Sequence, residues 1–208
     1  AGDPPLGLGF GPIDWFARRP RLAALLGAIC ISFSGIFYLN ASVSASTGTV
    51  FRALFGLPLL VVVAYAERRR FGPLPSRTAR LSAVAGLFFV GDLMTWHLAI
   101  AAVGAGLATV LGNLQVLIVG FIAWIALGEK PSRNTLIALP IVLVGVVFIS
   151  GVIGSGAYGA DPALGVVLGI ACAFFYAGYL LTIRLGGHDQ RRPAGPVATS
   201  TLVTALGA

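Results

Sequence analysis

Two long apolar runs, joined by one short polar loop, occupy residues 108–150: ATVLGNLQVLIVGFIAWIALGEKPSRNTLIALPIVLVGVVFIS. The three charged residues of this stretch, Glu129, Lys130 and Arg133, all lie in the loop. A helix of roughly 20 apolar residues crosses a hydrocarbon layer of about 30 Å, and each run is about that long. The stretch therefore predicts two membrane-spanning helices connected by a tight turn.

The same pattern extends over the rest of the 208 residues. Six complete apolar runs, and a seventh that meets the chain end, lie at residues 22–40, 47–66, 81–103, 106–128, 134–153, 163–185 and 195–208. Backbone polar groups in lipid must be paired within their own segment, so each run predicts a helix. The alternation that is typical of membrane β-strands is absent. We therefore expect an all-α, polytopic membrane helix bundle, and we number these runs as spans 1 to 7.

The composition excludes most other classes of protein. Hydrophobic residues make up 57% of the chain and charged residues 10%, against about 25% charged in a soluble domain. So few charges do not cover the surface of a soluble enzyme, and they do not fit a disordered chain or a disulfide scaffold. The glycine pattern GSGAYG at residues 154–159 follows a spanning helix rather than a strand, so it does not predict a dinucleotide site.

The sequence predicts neither an enzyme nor a cofactor or metal site. No Ser–His or Cys–His arrangement that would support nucleophilic catalysis is evident. Cys30 and Cys172, the two cysteines, lie in predicted spans without a nearby histidine. We interpret both as small apolar packing residues.

The net charge of +7 is explained by the topology of the spans. Thirteen of the 14 basic residues lie before span 1 or near the loops that follow spans 2, 4 and 6, and the other three loops contain none. This alternation is the positive-inside pattern, which places the N-terminus and the tail at residues 1–20 in the cytoplasm. The basic charge therefore does not indicate a nucleic-acid partner.

Two charged residues fall in the interior of spans, whereas Arg184 lies at the end of span 6. Arg52 lies in span 2 and Asp92 in span 3, at depths of ~21 Å and ~16 Å from the cytoplasmic end of their helices. An ionisable side chain within a span is expensive to bury, which makes it a candidate for a functional site. We predict that the two side chains face the bundle interior and interact directly or through water.

Five polar or aromatic residues fall in the same slab of the membrane: Ser34, Trp96, Asn113, Gln115 and Tyr176. Their depths are ~14–22 Å. A polar layer near the bilayer middle is where secondary transporters place substrate sites. The alternative for the uncharged residues is hydrogen bonding between helices without a ligand.

Helical phase separates some of these residues. On a regular helix Gln115 lies roughly opposite Asn113, so we expect that the two side chains do not point into one cavity. Asp92 and Trp96 share one face of span 3, whereas His97 points elsewhere. We interpret His97 as a packing or outer-rim residue.

Span 6 resembles span 1. LLGAICISF at residues 25–33 aligns with VLGIACAFF at residues 167–175 with four identities, and Ser34 then falls opposite Tyr176. An odd number of spans separates the start of span 1 from the start of span 6, so the two copies enter the membrane from opposite sides. This predicts inverted repeats, with a first five-helix repeat at residues 21–153 and an incomplete second repeat at residues 160–208.

The chain resembles the EamA-type carriers of the drug/metabolite transporter superfamily. Gly128, Glu129 and Gly145 in the opening stretch carry the similarity, together with Arg52 in FRALFGLPLL and the junction WHLAIAAVGAGLATV at residues 96–110. The resemblance implies ten helices in two inverted five-helix repeats, of which about six and a half are present. We expect either that the chain is truncated, which we favour, or that a partner supplies the remaining helices. The family often has a proline in the middle of span 4, where this chain has Val116.

The resemblance also implies the function. We expect a secondary transporter that moves a small polar metabolite, an amino acid-like compound or a drug across the bacterial cytoplasmic (inner) membrane by alternating access, with export as the direction. Its partners would be the lipid bilayer, the small-molecule substrate and a coupling proton or other ion, and a homodimer stays open. The alternatives are a structural or channel-like membrane subunit and, less favoured, an intramembrane enzyme.

Overall fold

A computed structural model describes residues 19–128, 130–149, 159–187, 189 and 192–208. These residues form eight helices and no strand: α1 (Pro20–Ser32), α2 (Ser34–Ala41), α3 (Ala45–Phe71), α4 (Ser76–Gly112), α5 (Gln115–Leu127), α6 (Arg133–Ile149), α7 (Pro162–Gly186) and α8 (Ala194–Gly207). Residues 1–18 of the predicted tail, residues 154–158 of the GSGAYG pattern, Glu129 and His188 lie outside the described residues.

Four segments of the described chain are long and apolar enough to cross a membrane: Arg21–Ala41, Ala45–Phe71, Ser76–Ile125 and Pro162–Gly186. The third of them contains predicted span 3 and most of predicted span 4, while α6 and α8 occupy the positions of spans 5 and 7. The prediction of an all-α, polytopic membrane bundle is confirmed. The inverted repeat stays a prediction.

The chain reverses direction at Gly104, inside α4. Gly104 has φ 82° and ψ 163°, a conformation that is not helical and that is essentially restricted to glycine. The thiol of Cys172 bonds to Asp92 at 3.0 Å, and it would lie 3.3 Å from a Cβ added at Gly112. On a straight helix these two α4 residues would be ~30 Å apart. Residues 76–103 and 105–112 are therefore two antiparallel limbs, which correspond to span 3 and the start of span 4.

Helix α7 packs against both limbs through small residues. A Cβ at Gly169 would stand 2.5 Å from the Cβ of Leu111, and one at Gly178 would stand 2.7 Å from the ring of Phe88. A Cβ at Gly165 would overlap the side chain of Val103. Without a hydrophobic driving force between helices in lipid, such close approach of backbones stabilises the contact through dispersion. The GxxxG of Gly165 and Gly169 is therefore a packing face.

The arginine-rich end of α3 lies beside the start of α8. The carboxylate of Glu67 in α3 accepts hydrogen bonds from the first backbone N–H groups of α8, Ala194 at 3.0 Å and Gly195 at 2.9 Å. Arg192 donates to the carbonyls of Phe71, Gly72 and Pro73 at 3.2–3.3 Å. These contacts join the loop after span 2 to the loop after span 6, and we call this the basic end.

Replacing Gly104 with alanine is expected to destabilise the protein by about 1–3 kcal/mol, because a Cβ is strained at this backbone conformation. The measurement is the midpoint of thermal unfolding in detergent. Gly106→Ala is the matched control, since Gly106 lies in the helix and no heavy atom is within 4 Å of an added Cβ. That variant should be neutral or slightly stabilising. Equal loss of stability in both variants would contradict the importance of the reversal.

Candidate functional site

One cavity of about 260 Å³ lies between α1, α2, α3, α4 and α7, at the break that precedes α5. All seven predicted site residues line it: Ser34, Arg52, Asp92, Trp96, Asn113, Gln115 and Tyr176. The structure thus brings together side chains that are separated by more than 140 positions in sequence. Their role in binding a substrate stays a prediction.

Arg52 and Asp92 share the cavity without pairing with each other. The guanidinium of Arg52 lies 5.3 Å from the ring centroid of Trp96, within the range of a cation–π interaction. The carboxylate of Asp92, which is 7% exposed, accepts a hydrogen bond from the thiol of Cys172 at 3.0 Å. Among the described residues no ion pair joins Arg52 to Asp92. The cavity therefore offers one positive and one negative group at separate positions.

Span 4 is interrupted by a turn at the cavity, between Asn113 and Gln115. It is therefore not the regular helix from which we expected these two residues to lie on opposite sides. Helix α4 ends at Gly112 and α5 begins at Gln115, with a turn between them. The N–H of Leu114 donates to Leu111 at 3.0 Å, so the chain tightens to i→i−3 bonding at this point. Both residues line the same cavity. The expectation that they could not do so was wrong, and the break occurs although Val116 replaces proline.

His97 does not line the cavity, and it packs α4 against α2 and α3 beside Trp96. It is 2% exposed, and its Nδ1 is 3.0 Å from the hydroxyl oxygen of Thr49. Its ring stacks on Tyr38 with the centroids 4.0 Å apart. The interpretation of His97 as a packing residue is confirmed. These contacts join α2, α3 and α4 directly next to Trp96.

Sequence reasoning missed the position of Cys172. We interpreted it as an apolar packing residue, but it lines the cavity and donates its S–H to Asp92. The available signal was its spacing from Tyr176, since residues four apart share one face of a helix. Cys30, its counterpart in the repeat alignment, is exposed rather than packed. Phe89 and Thr109 also line the cavity and had not been selected from the sequence.

Comparison with known families agrees with this architecture. The model of the EamA-like transporter family matches residues 19–151, which is more than half of the chain. The chain belongs to this family. As an EamA-like transporter it is a multi-pass membrane protein of the drug/metabolite superfamily, whose partners are the lipid bilayer and a small-molecule substrate. The family is a family of transporters and not of enzymes.

The match contains most of the cavity lining of this EamA-like transporter. Arg52, Asp92 and Trp96 lie within the matched residues, whereas Cys172 and Tyr176 in α7 lie beyond them. No match to the chain was found among curated proteins or among solved structures.

Thr49→Val is expected to lower the stability by about 1–3 kcal/mol, because it leaves a buried polar atom of His97 without its partner. Valine keeps the shape of threonine, so thermal unfolding in detergent reports the loss of the hydrogen bond. The control is Thr109→Val: this hydroxyl is exposed, and among the described residues it bonds only to the Ala105 carbonyl of its own helix. That variant should change the stability by at most about 0.5 kcal/mol. An equally small effect of Thr49→Val would show that His97 does not depend on this bond.

Proposed function

We propose that this EamA-like transporter moves a small zwitterionic or polar metabolite, such as an amino acid-like compound, by alternating access, with export as the direction. The observation that carries the proposal is the cavity in which an arginine and an aspartate stand without pairing with each other. A structural or channel-like subunit is less well supported, because in that case we would expect a sealed Arg52–Asp92 bridge with no cavity beside it.

The chemistry of the lining suits a zwitterion. A guanidinium forms strong, charge-assisted hydrogen bonds to a carboxylate, so Arg52 would hold the acidic group of the substrate. Asp92 would take the amino group and would exchange the thiol of Cys172 for a stronger, charged donor. The volume of about 260 Å³ lies just below the range of about 300–1,000 Å³ that is typical of ligand pockets. The substrate is therefore expected to be small.

Aromatic rings line one side of the cavity. Tyr176 lies 5.7 Å from Tyr179 and 6.3 Å from Phe89, measured between ring centroids. Trp96 faces the cavity from α4, where it already lies below the guanidinium of Arg52. These surfaces would contact the apolar part of the substrate, which gives an amphipathic molecule an advantage over an inorganic ion.

The position of the cavity supports alternating access. Its acidic residue lies on α4, in the predicted first repeat, and Cys172 and Tyr176 lie on α7, in the predicted second. Ser34 and Tyr176, which the repeat alignment pairs, both line it. Carriers built from inverted repeats bind substrate between the repeats and expose it to either side by rocking one against the other.

We further propose that the protein resides in the bacterial inner membrane with its N-terminus and basic end in the cytoplasm. Proton coupling would require Asp92 to bind and release a proton during the cycle. A neighbouring guanidinium stabilises the ionised carboxylate. The lack of an Arg52–Asp92 ion pair among the described residues therefore supports coupling through Asp92.

The proposal is tested with the full-length protein in proteoliposomes, by a substrate screen under an imposed pH gradient. Arg52→Ala and Asp92→Asn should each lower the transport of a zwitterionic substrate by at least about tenfold, since hydrogen bonds to charged groups contribute about 1.5–3 kcal/mol. The matched control is Arg80→Gln, an exposed arginine outside the cavity, which should leave transport unchanged. Normal transport in both cavity variants would overturn the site assignment.

A further inference from the structure

A second cavity, of about 420 Å³, opens at the basic end between α3 and α8. We propose that it binds the head group of an anionic phospholipid, with the first part of an acyl chain along its wall. We name it the α3–α8 groove. Its principal lining residues are Val61, Tyr65, Arg68, Leu74, Arg192 and Thr199. None of its lining residues belongs to the central cavity, so the inference does not rest on the proposed transport function.

The wall of the groove is apolar and continuous with the outer surface of α3. Val61 is 54% exposed and Tyr65 is 56% exposed, and both belong to a helix that is long and apolar enough to span the membrane. Ala64 and Ala198 complete this wall with small side chains. A lipid chain can therefore enter sideways from the bilayer and lie against α3.

Of the charged side chains that line the groove, Glu67 and Arg192 have partners in the protein, and Arg68 is the one available to a ligand. The negative charge of Glu67 is directed at the backbone N–H groups of Ala194 and Gly195, and its side chain is buried. Arg192 is occupied by backbone carbonyls and by Asp189, which it contacts at 3.1 Å. For the guanidinium of Arg68 no hydrogen bond or ion pair is found within the part of the chain that the structure describes. Arg68 therefore lines the groove as an exposed and uncommitted positive charge.

The position of Arg68 favours a lipid over a free anion. It begins the run Arg68–Arg70 at the end of a spanning helix, the depth at which phosphate groups of a bilayer lie. Basic pockets between transmembrane helices on the cytoplasmic side recognise anionic head groups in this way. Phosphatidylglycerol supplies one phosphate charge and two acyl chains, which matches one free guanidinium beside an apolar wall.

The test uses the delipidated full-length protein in detergent, with phosphatidylglycerol or phosphatidylcholine added in turn, and native mass spectrometry to count bound lipid. We expect one phosphatidylglycerol to be retained in preference to phosphatidylcholine. Arg68→Gln should weaken this binding about fivefold, the effect of removing one interfacial cation of about 1 kcal/mol. Arg68→Lys should keep most of it. The side chain of Arg68 is exposed, so its replacement is not expected to impair folding.

Arg80→Gln is the matched control, because Arg80 is an exposed arginine in the first turns of α4 and does not line the groove. It should leave the binding unchanged. Equal retention of the two lipids, or an equal loss of binding in the Arg68 and Arg80 variants, would overturn the proposal. Displacement of phosphatidylglycerol by excess inorganic phosphate would show that the groove recognises a free anion, and it would overturn the assignment to a lipid.

Discussion

The close packing of α7 between the two limbs of α4 is the contact on which the rest of the bundle depends. Glycines at positions 165, 169 and 178 let the α7 backbone approach side chains on both limbs, and each added Cβ would collide with its neighbour. This packing is geometrically feasible only because the chain turns back at Gly104. Dispersion and backbone proximity, rather than apolar burial, hold helices together in lipid. Removing the reversal would therefore separate the limbs that form the central cavity.

The two charged residues of the central cavity, Arg52 and Asp92, do not pair with each other, because each has another partner in the lining. The guanidinium of Arg52 lies over the ring of Trp96, and the thiol of Cys172 donates a hydrogen bond to the carboxylate of Asp92. A thiol is a weak donor and an aromatic ring is a neutral partner. Both charges are thus stabilised enough to be buried in a membrane protein, and in the proposed transport cycle a ligand with stronger complementary groups would displace these neighbours. A direct ion pair would have required a ligand to separate two opposite charges first.

The basic end shows a different use of charge. Glu67 is almost fully buried, but its carboxylate accepts hydrogen bonds from the free N–H groups at the start of α8, where the helix dipole also favours an anion. Arg192 completes the connection by bonding to the loop after α3. One acidic and one basic residue thereby fix α8 to α3. Arg68, which is exposed, lines the α3–α8 groove beside this connection.

The sequence by itself determined the class of the protein and singled out seven of the residues that line the central cavity. The apolar runs left no alternative to helices, because backbone groups in lipid must be paired within each segment. The cost of burying Arg52 and Asp92 singled them out. The tertiary structure alone decided how the groups meet: Asn113 and Gln115 line one cavity at the turn between α4 and α5, and Cys172 reaches Asp92 across 80 positions. Helical periodicity describes one regular helix, so it cannot predict where a helix breaks or which distant helix packs against it.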